Sequence, residues 1–380
     1  MTMMSSSGRP RGIGEKLSRL NWTIITLLCA LAVFGVIMHF SAAEGSWAGR
    51  PLSHGWRFGV VLAIAVGVAL FDARMWLAIA YPVYFSTMAL LIGVELFGET
   101  RMGATRWLDV GPVDLQPSEI MKIGIVLALA RYYQNLDPRH AGKLLWSIPP
   151  LLMIGAPVAL VMNQPDLGTA MLIALAGVAI MFLAGLRWRY IVPAAIAAVG
   201  GAIFAYFRVL HQYQRDRIVT FLNTEADPLG TGYHVSQSKI AIGSAGLFGK
   251  GYLQGSQSQL DFLPEKHTDF IFTMIGEEFG LFGAFAVLGL YFALFALTMA
   301  VSMRARTMFG RLAAAGIAIT LGLYVIINTS MVIGLMPVVG IPLPLISFGG
   351  TAMLTLMAGY ALVLSIDLHR DQSATRGFLW

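Results

Sequence analysis

The chain has 380 residues, of which 57% are hydrophobic and only 12% charged, with a mean hydropathy of +0.71. Soluble domains are roughly 45–50% apolar and about 25% charged, so a water-soluble globule is excluded, and so is disorder, which needs low hydrophobicity and high charge. The single cysteine, Cys29, rules out an intrachain disulfide and a structural zinc set, and the net charge of +6 is scattered over short loops, which excludes nucleic-acid binding.

What remains is an all-α integral membrane protein. A helix needs about 20 mostly apolar residues to cross the hydrocarbon core, and about ten such runs follow one another: 21–42, 56–71, 76–97, 117–133, 144–162, 169–186, 190–206, 269–301, 312–336 and 345–366. The runs are continuous, without the period-2 alternation of a barrel strand. The first is too long for the apolar region of a cleavable signal peptide. The predicted organisation is therefore a cytoplasmic N-terminal segment (1–20), a ten-helix membrane domain (21–366) and a cytoplasmic tail (367–380).

The distribution of basic residues sets the orientation. With a cytoplasmic N-terminus, fifteen lysines and arginines fall in inner segments, against Arg50, Arg57, Arg101 and Arg106 in the short outer loops. Both termini are then cytoplasmic. The large polar segment 211–268, between helices seven and eight, lies on the outer face. It contains YHVSQSKIAIGSAGLFG, in which Tyr233, Gln237, Ile240 and Ile242 mix apolar and polar faces as an interfacial helix does. The loops 98–116 and 163–168 emerge on the same face, so the chemistry is expected there.

An ionisable residue at bilayer depth costs about 2.5–3.5 kcal/mol and is a functional-site hypothesis by default. The candidates are Glu95, Glu119, Lys122, Asp166, Asp269, Glu277 and Glu278. In QPSEIMK, Glu119 and Lys122 are three apart and share a helix face. Two readings stand for them: an acidic first turn that complements the helix dipole, or a functional pair. Asp166 in NQPDLGT reads first as an Asx-type turn before Gly168 and second as a substrate-facing carboxylate. In LPEKHTDFIF, Thr268 is expected to cap the eighth helix with Asp269 in its first turn. The functional reading makes Asp269 a general base at the water–lipid boundary, with His267 a loop residue or its partner. GSAGLFGKG fails as a phosphate loop, because Ser244 takes the first glycine position and Gly251 follows Lys250. It reads as turns between short interfacial helices, with Lys250 an anion contact.

Taken together, these segments resemble the SEDS family (shape, elongation, division and sporulation), and within it the RodA branch more than the FtsW branch. The resemblance is carried by RWLDVGPVDLQPSEIMK at 106–122, NQPDLGTA at 163–170, YQRDR at 213–217, the run from Asp227 to Phe272, and MPVVGIPLPLISFGG at 336–350. Ala245 departs from the family's usual second glycine. The resemblance implies a ten-helix peptidoglycan glycosyltransferase that polymerises lipid II on the outer face of the cytoplasmic membrane during cell elongation. Its implied partners are a class B penicillin-binding protein, which cross-links the product, and other membrane proteins of the elongation complex. The family's critical aspartate maps onto Asp269, and its Glu and Lys onto Glu119 and Lys122. Asp166, Arg217, Gln237 and Ser238 also fall on family motif positions.

Such a transfer inverts a sugar C1 that bears a diphosphate. One carboxylate serves as base toward the acceptor hydroxyl, and positive charge stabilises the departing undecaprenyl diphosphate. Lys122, Arg217, Arg106 and Lys239 are the candidate cations. No organic cofactor is needed, and a divalent cation, Mg²⁺ or Mn²⁺, would suit a diphosphate. The alternative is a lipid II flippase, but alternating access usually places the site near the bilayer midplane, and here the charges gather at one face. A non-catalytic scaffold would leave those charges without a purpose.

Overall fold

The computed structural model describes residues 12–101, 104–109, 114–208, 215, 231–259 and 266–370. Among them are ten helices of seventeen residues or more, one at each predicted apolar run. They are α2 (Trp22–Ala42), α3 (Arg50–Ala69), α4 (Ala73–Phe97), α5 (Pro117–Asn135), α6 (Leu144–Asn163), α7 (Leu167–Leu183), α8 (Trp188–Arg208), α11 (Ile271–Arg304), α12 (Met308–Val332) and α13 (Gly350–His369). Short helices α1 (Ile13–Ser18), α9 (Thr231–Ser244) and α10 (Ser256–Gln259) complete the set. Seven of the long helices are long and apolar enough to cross a membrane, which makes this a multi-pass membrane protein. α7 is a shorter apolar helix.

Helices α5, α12 and α13 form the centre, buried on nearly all sides. Around them α3, α4 and α6 turn large apolar side chains outward, among them Ile64, Phe85 and Leu152. A helix apolar all round suits lipid on one side and protein on the other. Prolines inside α4, α6 and α8 are accepted, as is usual in membrane helices.

The loop between α4 and α5 adds three short antiparallel strands that the sequence reading did not anticipate: β1 (Glu99–Arg101), β2 (Ala104–Asp109) and β3 (Asp114–Leu115), in that order. Several helix boundaries moved by a few residues, two of them with consequences. α3 starts at Arg50 rather than 56, with Pro51 in its first turn. α13 starts at Gly350 rather than 345, which releases Phe348 and Gly349 to line the site.

α11 is interrupted at Gly280 (φ 65°, ψ −161°), a conformation that only glycine adopts without strain. The glycine-rich loop after α9 fills the gap. Lys250 and Gly251 donate backbone amides to the carbonyls of Glu277 (2.9 Å) and Glu278 (3.1 Å), and Leu281 and Phe282 donate to Gly246 and Leu247 (both 3.2 Å). The stretch 281–304 beyond the break still spans a bilayer at about 1.5 Å per residue.

The break also accounts for the two deepest acids. Glu277 accepts from Lys250 Nζ (2.8 Å) and the Gln257 amide (2.8 Å), and Glu278 accepts from the Ser41 hydroxyl. Both are fully or almost fully buried and serve to fasten the outer segment to α11 and α2. Lys250 thus answers a protein carboxylate rather than an external anion.

Candidate functional site

Near the N-terminal starts of α5, α7 and α13 lies a cavity of about 180 Å³. Five of the sequence-predicted residues line it: Arg106, Glu119, Lys122, Asp166 and Asp269. Ligand pockets commonly measure about 300–1,000 Å³, so this one has room for only part of a large ligand.

Pro117 opens α5, and Glu119 falls in its first turn with Lys122 one turn further on. Both side chains are buried and pair at 2.5 Å. Tyr324 of α12 closes the group: its hydroxyl donates to Glu119 Oε2 at 2.9 Å and accepts from Lys122 Nζ, which also lies 4.4 Å from the ring centre. Burying these charges is tolerated because each is paired and hydrogen-bonded. The helix-start reading of QPSEIMK therefore holds, and the two side chains do pair.

Asp166 is likewise two things at once. It is the N-cap of α7, accepting from the Thr169 amide at 3.1 Å, and it accepts from Gln116 Nε2 at 3.3 Å on the cavity wall. Arg106 reaches in from β2. It donates from Nε to the Gln164 carbonyl at 3.3 Å and from Nη2 to the Pro165 carbonyl. Among the described residues no carboxylate pairs with it, so its charge faces the cavity uncompensated, whereas that of Lys122 is balanced by Glu119.

Thr268 does not cap the eighth membrane helix. α11 begins at Ile271 with Phe270 as N-cap, and no side chain caps it. The preceding turn is held from elsewhere: Ser347 Oγ donates to the Thr268 carbonyl (2.6 Å), Asn328 Nδ2 to the Asp269 carbonyl (2.8 Å) and the Phe348 amide to the His267 carbonyl (2.9 Å). These bonds draw Asp269 out of the helix and onto the cavity wall. Gly340 (φ 69°) sits beside it, and a Cβ there would lie 3.5 Å from Asp269 Oδ2.

The other predicted residues lie elsewhere. Ser238 is fully buried where α9 meets α11 and α12, sharing a hydrogen bond with Thr273 (2.7 Å) and donating to the Val332 carbonyl (2.8 Å). Gln237 is half-buried and Lys239 exposed, and neither lines the cavity. α9 buries Val235, Ser238 and Ala241 and leaves Ile240 exposed. Glu95 is exposed at the end of α4, and Arg217 lies outside the described residues.

Sequence reading passed over Tyr324 and Asn328. Their signal was present: two polar side chains one turn apart inside an apolar run share a helix face, and polar groups at that depth call for a reason.

The profile of the FtsW/RodA/SpoVE cell cycle proteins matches residues 21–372. The chain is 44% identical over 351 residues to the peptidoglycan glycosyltransferase MrdB of Escherichia coli K12, covering 92% of this chain and 94% of that one. It is 32% identical over 369 residues to a probable peptidoglycan glycosyltransferase FtsW of Trichlorobacter lovleyi, covering 93% and 94%. Among solved structures, a chain from work on structural coordination of polymerization and crosslinking by a peptidoglycan synthase complex superposes with a TM-score of 0.79 at 30% identity, covering 93% of this chain and 99% of that one. Rod shape determining protein RodA of Thermus thermophilus superposes with a TM-score of 0.67 at 28% identity, covering 92% and 97%. With a match of this extent the chain belongs to the FtsW/RodA/SpoVE family.

Proposed function

We propose that this protein is a peptidoglycan glycosyltransferase that polymerises lipid II into glycan strands at the outer face of the cytoplasmic membrane during cell elongation. The observation that carries the reading is the placing of Asp269 in one cavity with the uncompensated cation of Arg106. The orientation that goes with it has both termini cytoplasmic and the ten helices of 21–366 in the membrane.

In the proposed step, Asp269 accepts the proton of the acceptor sugar hydroxyl as its oxygen bonds to C1 of the donor. The bond from C1 to the phosphate oxygen breaks with inversion, and undecaprenyl diphosphate leaves with the electron pair. A diphosphate needs no protonation to depart, so a second acid is dispensable, and Arg106 meets the charge that develops. Glu119, Lys122 and Tyr324 brace the cavity floor as a neutral group. Gln237 and Lys239 keep a proposed substrate-binding role only through α9, and Arg217 keeps one outside the described residues, while the buried Ser238 hydroxyl is taken up by Thr273 and Val332.

A divalent cation fits the donor set in a limited way. Among the described residues no group of three His, Cys, Asp or Glu side chains could hold a metal, but Asp166 offers a carboxylate on the cavity wall, and Mg²⁺ is commonly bound by one or two carboxylates plus substrate phosphates. Bound there, such an ion would neutralise diphosphate charge.

A class B penicillin-binding protein is the proposed partner, together with other elongation-complex membrane proteins, and the resemblance to a chain of a synthase complex supports this. The test is incubation of the purified protein and its partner with lipid II, read as glycan chain length on a gel. Polymer from the wild-type chain and none from Asp269→Asn is the expected result. Full polymer from Asp269→Asn would overturn the general-base role, and its absence from both would favour lipid transport.

A further inference from the structure

Three helices begin at the cavity wall: α5, α7 and α13, whose N-caps Gln116, Asp166 and Gly349 all line it. A helix start presents amides without intrahelical partners and about half a positive charge. Two of these starts are already answered by the protein. Asp166 accepts from the first turn of α7, and Glu119 sits in the first turn of α5. The start of α13 has neither a side-chain cap nor an acidic residue in its first turn.

Two further features mark that end. Thr351 lines the cavity at 7% exposure, and among the described residues its hydroxyl has no hydrogen-bond partner. The residue is buried but its hydroxyl oxygen is not sealed in, so it opens on the cavity and is free to bond a ligand there. The second feature is a pair of glycines that the fold does not require. Gly349 is extended (φ −166°). A Cβ at Gly349 would meet only Ala352 Cβ at 3.6 Å, and one at Gly350 only Arg57 Nη1 at 3.7 Å, both ordinary contacts. Gly349 is also an accepted N-cap residue, and with no side chain at 349 or 350 the main chain there is open to close approach by a ligand.

We infer that the first turn of α13, the Thr351 hydroxyl and Arg106 together cradle the diphosphate of the polyprenyl-linked donor. The inference rests on the polymerase reading and assigns the end of the cavity at which the leaving group sits. Amides at a helix start together with a guanidinium suit a diphosphate, which offers many acceptor oxygens and spread negative charge. The position also suits the reaction. The Phe348 amide bonds to the His267 carbonyl, with Asp269 two residues beyond one partner and Gly350 two residues beyond the other. That single strap fixes the spacing between base and leaving group, with the sugar ring between them.

The test measures binding of farnesyl diphosphate, with farnesol and inorganic pyrophosphate as companion probes, alongside lipid II kinetics, in wild type, Gly349→Ala, Thr351→Val and Arg106→Gln. The glycine and threonine variants are expected to melt with wild type. Thr351→Val should bind farnesyl diphosphate roughly tenfold to a hundredfold more weakly, the loss of one hydrogen bond to a charged group. Gly349→Ala should weaken it in the same direction, and both should raise KM for lipid II. Farnesol binding should be unchanged in all variants. Competition by pyrophosphate against farnesyl diphosphate supports a site for the diphosphate group itself, whereas competition by farnesol alone overturns it. Wild-type affinity and KM in both Gly349→Ala and Thr351→Val would also overturn it, with the polymerase reading intact. Tight farnesyl diphosphate binding that these variants lose, in a protein that makes no polymer, would keep the cradle and sink the polymerase reading.

Discussion

Asn328 holds Asp269 by its main chain: the side-chain amide donates one proton to the Asp269 carbonyl at 2.8 Å and the other to the Ile341 carbonyl at 2.7 Å. Ile341 follows Gly340, so one buried amide spaces the two walls that flank the carboxylate. Replacing Asn328 with Leu leaves two carbonyls without their donor, at about 1–3 kcal/mol each. Misplacement of a reacting group by an ångström costs on the order of 10²-fold in rate. Steady-state kinetics on lipid II are expected to show that fall in kcat with KM close to wild type. An unchanged kcat would mean that Ser347 and Phe348 hold the turn without it.

The Glu119–Lys122 pair makes a prediction about stability. Removing one partner of a buried pair costs about 3–5 kcal/mol, whereas replacing both by neutral groups of similar size is often close to neutral. Glu119→Gln and Lys122→Met are each expected to lower the melting temperature of the detergent-solubilised protein sharply, and the double variant to recover most of the loss. Equal losses from both singles and their sum in the double would place the two side chains in separate networks.

Gly280 is predicted to be irreplaceable for conformational reasons alone. Alanine there must adopt a left-handed φ and press its Cβ against the backbone of Leu247 and Gly249. Strain and overpacking together amount to about 2–4 kcal/mol. Gly243→Ala, which meets open space, is the control and should melt with wild type. The comparison is made by thermal unfolding.

Orientation is tested with a single introduced thiol. In a Cys29→Ala background, Ser244→Cys on the exposed side of α9 is expected to react with a membrane-impermeant maleimide in intact spheroplasts. Labelling only after lysis would invert the topology.

Much of the fold was legible because lipid imposes one solution on the backbone: every polar group of a spanning segment must be satisfied internally. Continuous apolar runs therefore gave all ten long helices, with errors confined to ends. The site was legible where charge made it so. Asp269, Asp166, Glu119 and Lys122 were each expensive enough at their depth to stand out, Arg106 entered only as a candidate cation for a diphosphate, and the cavity gathers all five. What escaped was whatever carries no charge. Tyr324 and Asn328 look like ordinary residues of an apolar run until tertiary packing brings α5 and the Asp269 turn against them. The displacement of Asp269 out of its helix escaped for a related reason. Its causes are hydrogen bonds from Asn328, Ser347 and Phe348, all distant in sequence, and local capping rules speak only for neighbours. The strands after α4 escaped because they are too short for a hydrophobic pattern to show.

The interruption of α11 has a practical consequence. Exposed glycine-rich loops are ordinarily the safest places to insert an epitope tag or a protease site, and 246–251 looks like one. Here the ladder of α11 detours through that loop, with two of its residues bonded above the gap and two below. The loop is a splint, and cutting or lengthening it would uncouple the turns that follow Asp269 from the longer stretch of α11 beyond Gly280.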